Sequence, residues 1–175
     1  MTLVLDPFVP DRDAALLHSW VVADRAQFWM MQERSVEEVR EIYTWLVEQP
    51  THHVWWVRLD GEPVALFQDY APSAEEVGTH YEVRPGDLGV HFMLAEATTA
   101  RPGFTAGVVA FLMERVFADP AVLRVVVEPD ARNDKAVALV ARLGFELGPV
   151  VQLSTKAAQL AFFSRAAYDR MPRER

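Results

Sequence analysis

Cysteine is absent from the 175 residues. That excludes a disulfide scaffold, a zinc-thiolate site, an iron-sulfur cluster and a thiol nucleophile. Reactivity has to come from imidazole, carboxylates, hydroxyls or a co-substrate. Also absent is any apolar run of the ~20 residues that would span a bilayer. Met1 to Asp13 carries acid where a signal or transit peptide carries Lys or Arg. The expectation is a cytoplasmic protein with no membrane contact. Positive charge is scarce: 17 Lys and Arg stand against 25 Asp and Glu, a net charge of −8. This balance argues against nucleic acid as a partner, since phosphate neutralisation needs a basic face. No metal is expected either, because His52 and His53 have no partner at ligand spacing and read as surface residues.

Apolar material is plentiful. Hydrophobic residues make up 51% of the chain, with Trp 5 and Phe 10 among them. At ~150 residues per domain, residues 1–175 read as one domain around one core. Thr2 to Leu5 reads as a strand, and Asp11 or Asp13 as the cap of a helix with Leu16, Leu17, Trp20 and Val21 on its apolar face. Ser35 and Glu38 form a capping-box signature before Val36, Val39, Ile42, Tyr43 and Leu46. Val54 to Leu59 and Val64 to Tyr70 flank Asp60-Gly61, a hairpin signal. Ala71 to Gly86 is a long polar connection before a strand over Leu88 to Leu94, and its length marks it as mobile or functional.

A helix follows Gly103, a β-branched strand spans Arg124 to Glu128, and a second crossover helix runs from Asn133 to Gly144. Strands near Val150 to Leu153 and Gln159 to Ser164 complete the order β-α-α-β-β-β-α-β-α-β-β. This is an α/β pattern, a mixed sheet with helices on its faces and open at one end. Leu160 to Phe163 is apolar enough to pair two copies across a sheet edge as a homodimer.

Chemistry concentrates where the crossover helices begin. Arg101-Pro102-Gly103-Phe104-Thr105-Ala106-Gly107 places a cation and small residues at a helix start. Free amides and the helix dipole there face an incoming anion, with pyrophosphate the natural ligand. The plainer reading is a turn with a solvated arginine. With the later stretch Ala136 to Phe145, ending in Leu143-Gly144-Phe145, the sequence resembles the GNAT N-acetyltransferase superfamily over nearly its whole length. In that family a Q/R-x-x-G-x-G/A loop holds the pyrophosphate of coenzyme A. Arg101 and Ala106 match its first and last positions, and Phe104 replaces the central glycine.

The resemblance implies a mostly antiparallel central sheet flanked by helices, with acetyl-CoA or succinyl-CoA as co-substrate. It implies cofactor contacts from Met93, Leu94, Arg101, Gly103, Phe104, Thr105, Ala106, Gly107, Asn133 and Lys135. Many members carry a tyrosine that protonates the leaving thiolate. Val140 stands at that position here and cannot do so.

Gly89-Val90-His91-Phe92 and Val127-Glu128-Pro129-Asp130-Ala131-Arg132-Asn133 are similar to two signatures of the siderophore-biosynthesis acyltransferases. Phe28-Trp29, Pro85-Gly86-Asp87 and Phe117-Ala118-Asp119-Pro120 resemble the same group in the same order. These relatives acylate hydroxycadaverine, hydroxylysine or hydroxyornithine, and lysine in mycobactin assembly. The resemblance implies catalytic roles for His91 and Asp130, acceptor contacts from Phe28, Trp29, Gln68 and Tyr81, and N-hydroxycadaverine or N6-hydroxylysine as acceptor.

The residue types suit that reaction on their own terms. A hydroxylamine nitrogen is mostly neutral near pH 7, so the base need only accept the proton released during attack, a task for an imidazole. If the strands of His91 and Asp130 are neighbours, their side chains converge at the C-terminal sheet edge. There Asp130 would orient His91 or bind the N–OH group. The alternatives are a core histidine and a turn aspartate. Trp55 and Trp56 alternate, so at most one faces a cleft. His80 and Tyr81 are placed to cover an acceptor, and Arg58 and Arg84 are cations that a succinyl carboxylate would need. Beside hydroxamate formation stand acetylation of a plain amine (a lysine side chain, protein N-terminus, polyamine or aminoglycoside) and acyl-CoA binding without turnover.

Overall fold

The structure is a computed structural model that describes residues 2–96 and 102–171. Strand β1 (Leu3–Pro7) leads into helix α1 (Pro10–Val21), whose proline sits in the first turn where a missing N–H costs nothing. Neither Asp11 nor Asp13 is its N-cap; that residue is Val9, and the Asp13 carboxylate instead accepts the Val9 N–H at 2.7 Å from inside the helix. Asp13 is buried, which allows this return contact. A short 3-10 helix spans Asp24–Trp29 and ends at Met30 in the left-handed region, φ 55°.

Helix α2 (Val36–Glu48) begins with the expected capping box. The Ser35 hydroxyl accepts the Glu38 N–H at 3.2 Å and the Glu38 carboxylate accepts the Ser35 N–H at 2.8 Å. Ser35→Ala is expected to lower stability by about 1 kcal/mol, read as a reduced urea midpoint with unchanged m. Strands β2 (His52–Leu59) and β3 (Glu62–Tyr70) are joined at Asp60 and Gly61, with φ of 50° and 94° as a primed turn requires.

The remaining elements are β4 (Asp87–Leu94), α3 (Phe104–Phe117), β5 (Arg124–Val127), α4 (Asp134–Arg142), β6 (Glu146–Gln152), β7 (Ala157–Ser164) and a last short helix α5 (Arg165–Asp169). The hydrogen-bonded strand order is β1-β2-β3-β4-β5-β7-β6. The sheet is mixed and mostly antiparallel, with β4 and β5 running parallel around the α3 crossover. Leu160 to Phe163 does not lie at an edge: β7 pairs with β5 on one side and β6 on the other. Its apolar residues are buried on both faces of an interior strand, which is why the run looked adhesive. The edge on that side is β6.

The contacts divide the chain into two compact units, 1–69 with 91–105 and 70–90 with 106–175. In the first, Leu17, Trp20 and Val21 of α1 and Val39 and Tyr43 of α2 cover Val54, Trp56, Leu66 and Met93 of the strands. Trp56 lies edge-on to Trp20 at 4.9 Å, while Trp55 is half-buried and donates its indole N–H to Asp69 at 3.0 Å. His52 is buried rather than at the surface, its Nδ1 3.0 Å from the Thr51 hydroxyl and its ring 6.2 Å from that of Trp45. It opens a strand whose alternate residues face α2, so position rather than polarity decided its burial. In the second unit one cluster joins Tyr70, Val77, Leu153, Ala158 and Leu160, and Phe163 stacks between Phe117 and Phe145. Among the described residues no helix is long and apolar enough to cross a membrane.

Candidate active site

His91 sits in the middle of β4, two residues from the buried Met93, so alternation aims both toward the face covered by α1 and α2. On β3, Gln68 shares a side with the core residue Leu66 for the same reason. The Gln68 Nε2 donates to the Tyr43 hydroxyl at 2.9 Å, and its Oε1 lies 3.3 Å from His91 Nδ1. Tyr43 is fully buried in α2, and burial holds its phenol above the usual tyrosine range. Trp29 stands edge-on to the imidazole, ring centroids 6.4 Å apart, and Phe28 beside it is half-buried. The Arg25 guanidinium donates to the Leu94 carbonyl at 2.8 Å, tying the 3-10 helix to the end of β4.

Asp130 belongs to the second unit, three residues beyond β5, where it bridges to Ala158 of β7. Its side chain is almost wholly buried and bound in a fork by Arg132, with Nε at 2.9 Å and Nη2 at 2.7 Å, and it accepts the Arg132 N–H at 2.9 Å. The guanidinium hydrogen bonds outweigh burial and, with the Lys156 charge, hold the carboxyl below the usual carboxylate range. A carboxylate so held is a weak proton acceptor but a fixed negative group. Within the second unit β4 pairs with β5 in parallel from Asp87↔Arg124 to Gly89↔Val126.

Sequence reasoning passed over a buried polar group in the same unit. The Tyr70 hydroxyl donates to Glu128 at 3.4 Å, and the Glu128 carboxylate also pairs with the Lys156 ammonium. Burial first, then the Glu128 charge, keeps the Tyr70 phenol protonated. Gly89 makes room for this tyrosine: a Cβ there would fall 2.2 Å from the ring. The sequence signal was a carboxylate closing a β-branched run, which needs a partner if buried. Tyr43 could have been found likewise, since a tyrosine at a core position of a helix needs a partner for its hydroxyl.

The long connection after β3 is ordered. It contains 3-10 turns at Pro72–Ala74 and Glu76–Thr79, and Glu76 accepts both the Ser154 N–H at 2.8 Å and its hydroxyl at 2.6 Å. Tyr81 donates to Asp87 at 3.2 Å, with its ring against Phe162 and the Arg124 guanidinium over it. His80 lies 4.0 Å from Glu76.

At the expected cofactor loop, Arg101 lies outside the described residues. Pro102, Gly103, Ala106 and Gly107 are exposed, and Phe104 and Thr105 are half-buried. Gly103 has φ 77°, and a Cβ at Gly103 or Gly107 would meet no atom of the described residues within 4 Å. Beside Gly103 and Gly107 the first turn of α3 leaves room among the described residues, and amides at a helix start suit an anionic group such as a pyrophosphate. Met93 places its side chain in the core. Asn133 caps α4 by accepting the Ala136 N–H at 3.2 Å, and Lys135 is exposed beside it. Val140 is half-buried in α4. No group of three metal-ligating side chains occurs among the described residues.

Comparison with known proteins decides the family. The profile of the acetyltransferase (GNAT) domain matches residues 9–153. The chain belongs to the GNAT acetyltransferase family. As a GNAT protein it is an acyl-CoA N-acyltransferase. It is 26% identical over 168 residues to the aminoglycoside N(6')-acetyltransferase type 1 of Serratia marcescens, covering 93% of this chain and 84% of that one. It is 28% identical over 108 residues to the N-hydroxyputrescine acetyltransferase of Acinetobacter baumannii, covering 62% and 51% respectively. The GNAT fold overlays on AAC(6')-Ib in complex with paromomycin and acetyl-CoA with a TM-score of 0.85, at 24% identity and 100% coverage of both chains.

Proposed function

We propose that this GNAT protein transfers an acetyl or succinyl group from its CoA thioester to the hydroxylamine nitrogen of N-hydroxycadaverine or N6-hydroxylysine, forming a hydroxamate for siderophore biosynthesis. The observation that carries the reading is His91, an imidazole held in mid-strand by Gln68 with Trp29 edge-on to it. The thioester supplies the activated acyl carbon. The hydroxylamine nitrogen bonds to that carbon, the C–S bond breaks with its electron pair leaving on the CoA thiolate, and His91 takes the proton that the nitrogen loses. Asp130, kept ionised by Arg132, is the fixed carboxylate proposed to receive the N–OH. The open first turn of α3 receives the pyrophosphate, through the amides from Thr105 to Gly107, with Arg101 and Lys135 as cations. Phe28, Trp29 and Tyr81 are the proposed acceptor contacts. The similarity to an N-hydroxyputrescine acetyltransferase supports a hydroxylated diamine.

The similarity to an aminoglycoside acetyltransferase along 93% of the chain favours a second reading, acetylation of a plain amine. Purified protein is to be mixed with acetyl-CoA or succinyl-CoA and a panel of hydroxylated diamines, their plain counterparts and kanamycin. Mass spectrometry and ferric hydroxamate colour are the readouts. The proposal expects hydroxamate from hydroxylated diamines with the largest kcat/KM. A preference for the plain amine or kanamycin replaces it with the second reading.

A further inference from the structure

The line from Tyr43 to His91 can be read in terms of hydrogen positions. The amide NH2 of Gln68 faces the Tyr43 oxygen at 2.9 Å, which leaves the amide oxygen facing Nδ1 of His91 at 3.3 Å. An amide oxygen only accepts, so in the neutral ring Nδ1 must carry the hydrogen and Nε2 the lone pair. We infer that Gln68 is a positioning residue that selects the Nδ1–H tautomer of His91, and is not a contact for the acceptor. The inference rests on the proposed role of His91 for its catalytic meaning, but the tautomer itself does not depend on it.

Two features make the selection firm. Tyr43 is fully buried, with its ring 5.1 Å from that of Phe8, so the phenol that anchors the amide is fixed by the core. Gln68 is then engaged at both ends, its NH2 by Tyr43 and its oxygen by His91. An amide also orients the ring without the negative charge that favours imidazolium. A carboxylate at 68 would orient it equally well but would bias it toward holding a proton.

The test uses the full chain labelled with 15N-histidine, without substrate, at about pH 8.5, where an ordinary imidazole is neutral. Two-bond 1H–15N correlations assign the tautomer, and His91→Gln identifies the signal. Wild type is expected to show His91 protonated on Nδ1. Gln68→Leu should move it to the Nε2–H form that an unassisted imidazole prefers, and Gln68→Glu, which restores an acceptor oxygen, should keep Nδ1–H. Nε2–H in wild type, or an unchanged tautomer in Gln68→Leu, overturns the inference. If Gln68→Leu does not fold, Gln68→Glu and Tyr43→Phe carry the test: Nε2–H in Gln68→Glu overturns it, while retention there with partial loss in Tyr43→Phe supports it.

Kinetics with whichever acceptor proves active gives the second arm. Gln68→Leu is expected to lower kcat ~10-fold or more with acceptor KM within about twofold, as loss of an orienting group does. A raised KM with unchanged kcat would make Gln68 an acceptor contact and overturn the inference. Because the spectra need no substrate, failure to form any hydroxamate would sink the proposed acceptor and leave the tautomer result standing.

Discussion

His91→Ala is expected to lower kcat by ~100-fold or more, the scale on which a positioned proton acceptor contributes. The Nδ1 side of the ring is met by the Gln68 amide and its edge by Trp29, neither of which takes a proton at neutral pH. The fold should survive, since His91 is only half-buried and makes no core contact of the kind Met93 makes. Steady-state kinetics beside a thermal melt is the measurement, and near-normal turnover from a folded variant would remove His91 from the chemistry. Asp130→Asn is expected to lower kcat on the same scale, because an amide keeps the shape but gives up the charge that Arg132 holds in its fork.

The largest expected effect on stability comes from Arg124. Its guanidinium holds both Asp87 oxygens at 2.7 Å, and the Asp87 side chain is 1% exposed. Arg124 also covers the Phe162 ring at 4.6 Å. Removing one partner of a buried pair strands the other, so Arg124→Ala should cost about 3–5 kcal/mol, or roughly 10 °C in Tm. Burial alone would push the Asp87 carboxyl up, but the Arg124 hydrogen bonds, the Arg84 N–H and the Tyr81 hydroxyl together hold it below the usual range.

A carboxyl depressed in the folded state stabilises fully above its unfolded pKa of about 3.9 and loses that contribution as pH falls through the folded value. Wild type should therefore weaken on acidification below about pH 4, and Arg124→Ala should lose much of that dependence. Urea midpoints taken across this range decide it. Equal slopes in the two proteins would mean that other carboxyls govern acid stability.

What the sequence disclosed was mostly local. Ser35 with Glu38 and Asp60 with Gly61 carry their structure in neighbouring residues, and both formed as read. The strand order needed more, because whether a strand is an edge depends on which distant segments pair with it. Leu160 to Phe163 looked like an adhesive edge for want of any sign that β5 and β6 would flank it. His52 is buried where its polarity suggested exposure, and the Ala71 to Gly86 connection, whose length marked it as mobile or functional, is held by contacts far along the chain such as Glu76 with Ser154.

The site divides in the same way. Motifs surround His91 and Asp130 and mark them as candidates in the sequence. In the sequence Tyr43 is one of a row of apolar helix positions, and only the fold places the Gln68 amide between its phenol and the imidazole. The contacts of Tyr81 with Asp87, Phe162 and Arg124 join residues far apart in the chain and carry no local signal.

The interior place of β7 bears on how the chain comes together. Among the described strands β6 hydrogen-bonds to β7 alone, which follows it in the chain, and the far side of β5 waits for the same strand. During synthesis both remain bare until residues 157–164 have left the ribosome, a late closure over long sequence separation. Leu147 and Val150 of β6, exposed even in the finished protein, are then accompanied by the unsatisfied amides of the whole strand. Nascent chains stalled before residue 157 should be the form of this protein most prone to aggregate and most in need of a chaperone.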